Sequence, residues 1–84
     1  MTNTRSPRRL GVPRPVEVRA DECGVPERVG GREVLHVRDE WRVDEGWWTR
    51  RPVSRRYFEL VLEDGRNSVV FLDRRGKRWY GQRV

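Results

Sequence analysis

The chain has 84 residues, of which 35% are hydrophobic and 38% are charged, and its formal net charge is +6. A chain of this length forms one domain at most, and it buries only about 60% of the surface that the unfolded chain exposes. Its one cysteine, Cys23, excludes an intrachain disulfide, and no apolar run is long enough to span a bilayer. Because the first residues also lack the apolar stretch of a secretory signal, we expect a cytoplasmic protein that does not bind membranes.

The excess positive charge lies mainly at the N-terminus. Residues 1–14 contain no acidic residue and four arginines, which are Arg5, Arg8, Arg9 and Arg14. This segment carries +4, whereas the remaining 70 residues contain 15 basic and 13 acidic groups and carry +2. Pro7 and Pro13 interrupt the segment, and it has neither helical nor strand periodicity. We therefore predict a flexible basic tail over residues 1–14 and a small β domain over residues 15–84.

The β domain begins with two patterns that are typical of short strands. Along residues 16–20 apolar and charged side chains alternate, as in a strand with one buried face. Gly30 and Gly31 have the composition of a two-residue hairpin turn, in which glycine supplies the positive φ at no steric cost. We expect this turn to join a short strand around Val29 to a longer strand that starts at Arg32.

The longer strand has one mostly apolar parity. We predict that its core-facing residues are Leu35, Val37, Trp41 and Val43. Asp39 falls in the same parity and interrupts it, which indicates a β-bulge or a strand that emerges from cover at that point. Trp41 and Trp79 both lie on patterned strands, and we expect both to be core residues because a small domain depends on such large apolar side chains.

The strongest turn signal in the chain is the dipeptide Asp64-Gly65, which alternating apolar residues flank. If these two residues form the turn, Leu60 pairs with Val69 and Phe58 pairs with Phe71 on one face of a hairpin. Each pair brings two apolar side chains together, as cross-strand packing favours. The sequence therefore predicts an antiparallel hairpin with this register.

A second turn over residues 73–77 precedes a last strand over residues 78–84, and no segment has a convincing helical period. Residues 15–84 therefore hold five or six short strands. This pattern in a chain of this length predicts an all-β fold, either a small antiparallel barrel or a strongly curled sheet.

The most informative segment contains two adjacent tryptophans, Trp47 and Trp48, which follow Gly46. Successive side chains of a strand point to opposite faces, so the two indoles cannot both enter one core from a regular strand. We predict that one tryptophan closes the barrel and that the other contacts a partner, without choosing between them. Arg55 and Arg56 begin the next strand and complete the predicted partner-contact site.

Two basic groups are candidate contacts for nucleic acid. The first is a seven-residue stretch without an acid, and its arginines are Arg50, Arg51, Arg55 and Arg56. The second lies at the predicted turn and comprises Arg74, Arg75, Lys77 and Arg78. If both groups face the same way beside an exposed indole, they offer phosphate contacts and base stacking to a single strand. Alternatively, the charges are solvated or are neutralised by acids, for which the candidates are Asp39, Glu40, Asp44 and Glu45. The tail adds Arg8 and Arg9 as candidate electrostatic contacts.

Groups that carry out catalysis or hold a cofactor are scarce. His36 is the only histidine, and no serine, cysteine or carboxylate stands with it in a recognisable nucleophile-and-base arrangement. One histidine and one cysteine fall short of the ligands that a zinc site requires. We therefore predict a protein that is not an enzyme and has no catalytic residues, no metal and no cofactor.

Several spaced motifs between Val29 and Val84 resemble a known domain. They are Glu40-Trp41-Arg42-Val43, Gly46-Trp47-Trp48, Arg55-Arg56-Tyr57-Phe58, Asp64-Gly65-Arg66, Phe71 and Arg78-Trp79-Tyr80. In this order they look like the small C-terminal domain of ImuB-type proteins, the Y-family DNA polymerase homologues of the bacterial mutasome. The likeness extends to small stand-alone relatives of that domain, whose function is unknown, and it covers about two thirds of the chain.

The resemblance implies an accessory or protein-contact module in bacterial translesion DNA synthesis or DNA repair. It implies no polymerase chemistry, because the metal-binding carboxylates of the palm lie outside the matching part of those proteins. The residues leave two alternatives open: a small β-barrel that binds single-stranded nucleic acid, and a protein that self-associates through a sheet edge or its tryptophan surface. The sequence defines neither the partner nor the oligomeric state.

Overall fold

A computed structural model describes residues 11–46 and 48–83. The described part of the chain contains strands and turns and no helix, which confirms the prediction of an all-β fold. Its strands are β1 (Arg14–Pro15), β2 (Val18–Ala20), β3 (Pro26–Val29), β4 (Arg32–Glu45), β5 (Val53–Leu62), β6 (Asn67–Asp73) and β7 (Arg78–Gln82).

The strands form one antiparallel sheet whose two ends meet at the same segment of chain. The strand order is β1-β7-β6-β5-β4-β3-β2, so β1 and β2 lie at opposite ends of the sheet although only Val16 and Glu17 separate them. Val16 N donates to Trp79 O at 3.2 Å on one side, and Gly30 N donates to Glu17 O at 2.8 Å on the other. The sheet therefore curls into a half-barrel, as the pattern of short strands predicts.

The ordered sheet begins earlier in the chain than the predicted boundary between residues 14 and 15. Gly11 N donates to Arg83 O at 3.0 Å, and Gln82 Nε2 donates to Gly11 O at 2.9 Å. Arg14 then pairs with Gly81 of β7. Residues 11–14, predicted as the end of a flexible tail, thus lie along β7. The rest of the predicted tail, residues 1–10, is outside the described residues.

Both faces of the central strands carry apolar clusters. The enclosed face holds the fully buried Phe58, Leu60 and Val70, against which residues from both ends of the sheet pack. The other face carries a row of aromatic rings across four neighbouring strands, with ring centroids 4.9–5.2 Å apart, and its members are Trp41, Tyr57, Phe71 and Tyr80. Trp79 packs on Phe58 at 5.8 Å. The two predicted core tryptophans, Trp41 and Trp79, are therefore partly buried, but in different clusters.

The β3–β4 hairpin has the predicted two-residue turn. Val29 pairs with Arg32, and the intervening Gly30 and Gly31 have φ of +56° and +84°. Glycine adopts a positive φ at no steric cost, so two successive glycines favour this turn.

The face assignment along β4 is partly wrong. A predicted irregularity at Asp39 is confirmed, because the register with β5 shifts between Val37 and Asp39. A second shift lies between Val34 and His36, and it was not predicted. As a result Val34 packs against the core, whereas Leu35, predicted to face it, is 60% exposed. Each bulge adds a residue that reverses the alternation beyond it.

The β5–β6 turn is one residue longer than predicted. Leu62 N donates to Arg66 O at 2.9 Å, and Gly65 N donates to Leu62 O at 2.8 Å, so three residues rather than two connect the strands. Asp64 stabilises this longer loop, because its Oδ1 accepts from Arg66 N at 3.0 Å. Gly65, with φ of +85°, occupies the left-handed position that such a loop requires.

This extra loop residue changes which side chains share a face. Phe58 pairs with Val70, and Tyr57 pairs with Phe71, instead of the predicted pairing of Phe58 with Phe71. A shift of one residue moves every side chain of a strand to the other face. The correction places Phe71 beside Tyr57 in the aromatic row and leaves Phe58 to the enclosed core.

Candidate functional site

The β4–β5 loop is a hydrogen-bonded turn that presents one tryptophan. Thr49 donates twice to Gly46 O, from its N at 2.8 Å and from its Oγ1 at 2.7 Å. Arg51 N in turn donates to Thr49 Oγ1 at 3.2 Å. Trp48 lies inside this turn and is 72% exposed, so it is the described member of the predicted pair that faces outward. Trp47 lies outside the described residues.

Gly46 is required at the start of this loop for two reasons. Its φ is +65°, a conformation that residues with a Cβ rarely adopt. A Cβ at this position would also lie 3.2 Å from Thr49 Oγ1, the group that closes the turn. The backbone geometry of this turn therefore depends on a glycine at position 46.

Behind this loop lies an open cleft of about 250 Å³ that we call the arginine cleft. Its basic residues are Arg50, Arg51, Arg55 and Arg75, and the remaining lining residues are Pro52, Val53, Ser54 and Asp73. The first three arginines come from the predicted basic stretch, and the fourth comes from the predicted turn. The structure therefore brings members of both basic groups to one place.

The sheet register explains why the two groups meet. Arg55 and Asp73 are cross-strand partners, and Arg74 N extends the β5–β6 ladder by donating to Ser54 O at 2.9 Å. The turn after β6 is thereby held beside the start of β5. Asp73 also caps that turn, because its Oδ1 accepts from Arg75 N at 3.1 Å.

Arg55 has a fixed position in the cleft. Its Nη1 donates to Tyr57 Oη at 3.0 Å, and its Cζ lies 4.4 Å from the centroid of the Phe71 ring. A guanidinium over an aromatic face is stabilised by the negative charge density of the ring. Since Tyr57 and Phe71 are buried, the aromatic row forms a rigid support for this charge.

Arg56, the next residue, lies on the other face of β5 and makes intramolecular contacts there. Its Nε lies 2.6 Å from Glu40 Oε2, its Nη1 donates to Cys23 O at 2.8 Å, and its Cζ lies 4.8 Å from the Phe58 ring centroid. It thus connects β4, β5 and the turn over residues 21–25. Arg56 was predicted as a partner contact, and the structure gives it a role in holding the fold together.

The electrostatic balance differs between the two faces. Among the described residues, no acidic side chain forms an ion pair with any arginine of the arginine cleft. Of the acids that might have neutralised them, Glu40 pairs with Arg56, and Asp44 Oδ1 accepts from Ser54 Oγ at 2.8 Å. Neutralisation therefore applies to Arg56, whereas the cleft carries four arginines against one carboxylate, that of Asp73.

The remaining residues predicted to contact nucleic acid lie outside the arginine cleft or outside the described residues. Arg74, Lys77 and Arg78 are exposed at the turn after β6 but do not line the cleft. Arg8 and Arg9 lie outside the described residues. Sequence reasoning missed Ser54 and the flanking Pro52 and Val53 as cleft residues. Their position between Arg51 and Arg55 was a signal for them, but the cleft that they line exists only because the turn after β6 lies beside the start of β5.

The described residues offer no group of three or more histidine, cysteine, aspartate and glutamate side chains able to hold a metal ion. His36 and Cys23 are both exposed. Within residues 11–46 and 48–83, no helix of sufficient length and hydrophobicity to cross a membrane occurs.

Comparison of the chain with protein-family models, curated proteins and solved structures gave no match. The resemblance to the C-terminal domain of ImuB-type proteins therefore stays a prediction.

Proposed function

We propose that this chain is a non-enzymatic interaction module of a bacterial translesion-synthesis or DNA-repair assembly, and that Trp48 and the arginine cleft form its contact site. The observation that carries the proposal is the 72% exposure of Trp48 on a hydrogen-bonded turn. The same loop supplies Arg50 and Arg51 to the cleft. The link to DNA repair rests on the sequence resemblance.

The residue types and their support favour a binding site over an accidental surface. Tryptophan and arginine are the residues most enriched among those that dominate interface energies. The hydrogen-bonded turn restricts the backbone on either side of Trp48, so less backbone freedom is lost on binding and the entropic cost of association is lower. The matching partner surface has an apolar pocket for Trp48 and carboxylates or phosphates for the arginines of the cleft.

A pull-down from DNA-damaged bacterial cells tests the proposal. We expect the wild-type chain to recover a Y-family polymerase homologue, a replicative polymerase, a sliding clamp or a recombinase. The Trp48→Ala variant should lose that protein while remaining folded, which circular dichroism checks. Recovery of none of these proteins, or equal recovery by Trp48→Ala, would contradict the proposal.

A second candidate function is binding of single-stranded nucleic acid, and the convergence of arginines from two segments on one cleft favours it. Guanidinium groups bind backbone phosphates, and an exposed indole stacks on a base at about 1–3 kcal/mol per base. Arg50, Arg51 and Arg75 are exposed cations, and Trp48 lies two residues before the first of them.

A titration with an oligothymidylate separates the two candidates. Nucleic-acid binding predicts quenching of tryptophan fluorescence at low salt, an affinity that falls steeply as salt rises, and loss of quenching in Trp48→Ala. Unchanged fluorescence at low salt would exclude this second function and leave the protein-contact proposal standing.

A further inference from the structure

The face of the sheet that carries the aromatic row, which we call the outer face, is buried more deeply than a single sheet explains. All described strands belong to one sheet, and the described part of the chain contains no helix, so no second described layer packs on this face. Such a face of an antiparallel sheet is normally solvated. Val69 is nevertheless fully buried there, in one cluster with Tyr57 and Phe71.

The outer face also contains a buried carboxylate, that of Glu59. Glu59 is only 6% exposed, and it lies two residues from Tyr57 along β5. It pairs with Val69 of β6 on one side and with Asp39 of β4 on the other, so these residues share one face. A buried carboxylate is unfavourable unless a cation or hydrogen-bond donors surround it. The segment that covers Val69 and Glu59 should therefore be both apolar and basic.

The described chain begins level with Glu59. On the far side of Val69 lies Gln82 of β7, and Gln82 Nε2 donates to Gly11 O at 2.9 Å. Gly11 N donates to Arg83 O at 3.0 Å, so Gly11 lies beside β7 and three strand spacings, about 14 Å, from Glu59. The residues that precede Gly11 therefore join the sheet at the edge of the outer face.

Residues 1–10, which lie outside the described residues, have the composition that this face requires. They contain three arginines and no acidic residue, and Leu10 directly precedes Gly11. Arg8 is three residues from Gly11, so its Cα reaches up to about 10 Å from that residue in an extended chain. The side chains of Arg8 and Glu59 span the remaining few ångströms between them.

We propose that residues 1–10 bind to the outer face of their own chain, with Leu10 over Val69 and with the guanidinium of Arg8 or Arg9 at the carboxylate of Glu59. Hydrogen bonds between a guanidinium and a carboxylate are strong because both groups are charged. The planar group has five donors, enough to contact Asp39 as well.

The proposal gives Arg8 and Arg9 a role different from the nucleic-acid contact that the sequence predicts. In the proposed arrangement they stabilise the fold, as Arg56 does on the enclosed face. The site around Trp48 and the arginine cleft is separate, because Glu59 lies four residues along β5 from Arg55. The proposal therefore does not rest on the proposed function.

Urea unfolding of the full chain tests the pairing. A variant with both Arg8→Gln and Arg9→Gln should have an unfolding equilibrium constant about tenfold higher or more, because the buried carboxylate loses its cation. In a Glu59→Gln background the same two substitutions should raise the constant by no more than about twofold, because no buried charge remains. Arg74→Gln with Arg78→Gln, at exposed positions, is the matched control and should stay within about twofold in both backgrounds.

The comparison of the two backgrounds decides the outcome. An effect of the Arg8 and Arg9 substitutions that is equal with Glu59 and with Gln at position 59 would overturn the proposal. So would no effect in either background.

Nuclear magnetic resonance of the wild-type chain tests the position of the segment without any substitution. We expect nuclear Overhauser effects between the methyl groups of Leu10 and Val69, and between the side chain of Arg8 or Arg9 and the ring of Tyr57. Their absence would overturn the proposal and leave the outer face to a basic segment of another protein. The same signals between labelled and unlabelled chains of a mixture would overturn it in favour of a second copy.

Discussion

Arg55 and Arg56 are consecutive residues of β5, but Arg56 makes contacts that hold the fold together, whereas Arg55 lines the candidate binding cleft. Arg56 lies on the face where Glu40 and the carbonyl of Cys23 engage it. Arg55 lies on the other face, supported by Tyr57, in a cleft that contains further arginines. The role of each arginine therefore depends on the residues that neighbouring strands place on its face of β5, and not on the local sequence.

The two regions differ in what a substitution should change. Substitutions around Arg56, where Glu40, Cys23 and Gly24 surround the side chain, should lower the free energy of unfolding and leave the affinity for a partner unchanged. Substitutions of exposed residues in the arginine cleft, such as Arg51, should lower the affinity for a partner and leave the free energy of unfolding unchanged.

The largest expected effect on stability comes from Gly24. Its φ is +81°, and a Cβ there would lie 2.7 Å from Arg56 Nη1. Gly24→Ala should lower the free energy of unfolding by about 2–3 kcal/mol, from backbone strain and from displacement of the guanidinium. Gly30→Ala is the matched control, because its φ is +56° and a Cβ there would meet no atom within 4 Å.

Urea unfolding of Gly24→Ala and Gly30→Ala isolates the cost of the contact between a Cβ at position 24 and the Arg56 guanidinium, which is the difference between the two losses in free energy of unfolding. Gly30→Ala carries the backbone strain alone and should cost about 1 kcal/mol. Equal losses in both variants would show that Arg56 does not occupy the position beside Gly24.

Replacement of Arg56 should have the next largest effect. Arg56→Ala removes the contact with Glu40, the hydrogen bond to Cys23 O and the packing on Phe58, and should destabilise the fold by about 1–2 kcal/mol. The ion pair adds little to this figure, because both side chains remain partly exposed and water screens them. Arg51→Ala should change the unfolding free energy by no more than about 0.5 kcal/mol. A larger loss of unfolding free energy in Arg51→Ala than in Arg56→Ala would contradict the distinction between the structural contacts of Arg56 and the binding role of the arginine cleft.

The arginine cleft should respond in a binding measurement instead. If an oligothymidylate binds there, Arg51→Ala should lower the affinity and reduce the slope of log affinity against log salt by about 1, since one phosphate contact is lost. Arg66→Ala, an exposed arginine at the β5–β6 turn, is the control and should leave the slope unchanged. An equal change in both variants would indicate general attraction to a basic protein.

The smallest effect is expected at Leu35. Because this side chain is 60% exposed at a bulge, Leu35→Ser should alter stability by about 0.5 kcal/mol or less. Val34→Ser, its partly buried neighbour, should be clearly more destabilising. A larger loss of stability in Leu35→Ser than in Val34→Ser would mean that Leu35 faces the core, as simple alternation without the bulge predicts.

Alternation and turn composition predict most of the strand positions but not the faces of two strands. β6 contains the consecutive apolar residues Val69, Val70 and Phe71, so either register with β5 buries apolar groups. The pattern therefore has no preference between a two-residue and a three-residue turn at Asp64-Gly65. At Gly30 and Gly31 the two consecutive glycines favour a two-residue turn, and this predicted turn is confirmed.

The sequence predicts which segment of the chain contains the candidate site, but not how its side chains are arranged in space. Two adjacent tryptophans after a glycine indicate a loop, because one strand face cannot bury both. The cleft depends on the β5–β6 register and on the hydrogen bond from Arg74 N to Ser54 O, contacts between residues far apart in sequence. Local sequence contains no information on which of Arg55 and Arg56 joins that cleft.

Site-specific photocrosslinking tests the central claim, that the Trp48 loop is the partner-contact site, most directly. A photoreactive p-benzoylphenylalanine replaces Trp48 in one variant and Leu35, which is also exposed, in another, and both variants are irradiated in DNA-damaged cells. We predict a crosslink from position 48 to a component of the translesion-synthesis or repair machinery, and none from position 35. A crosslink to that machinery from position 35 and not from position 48 would contradict the claim.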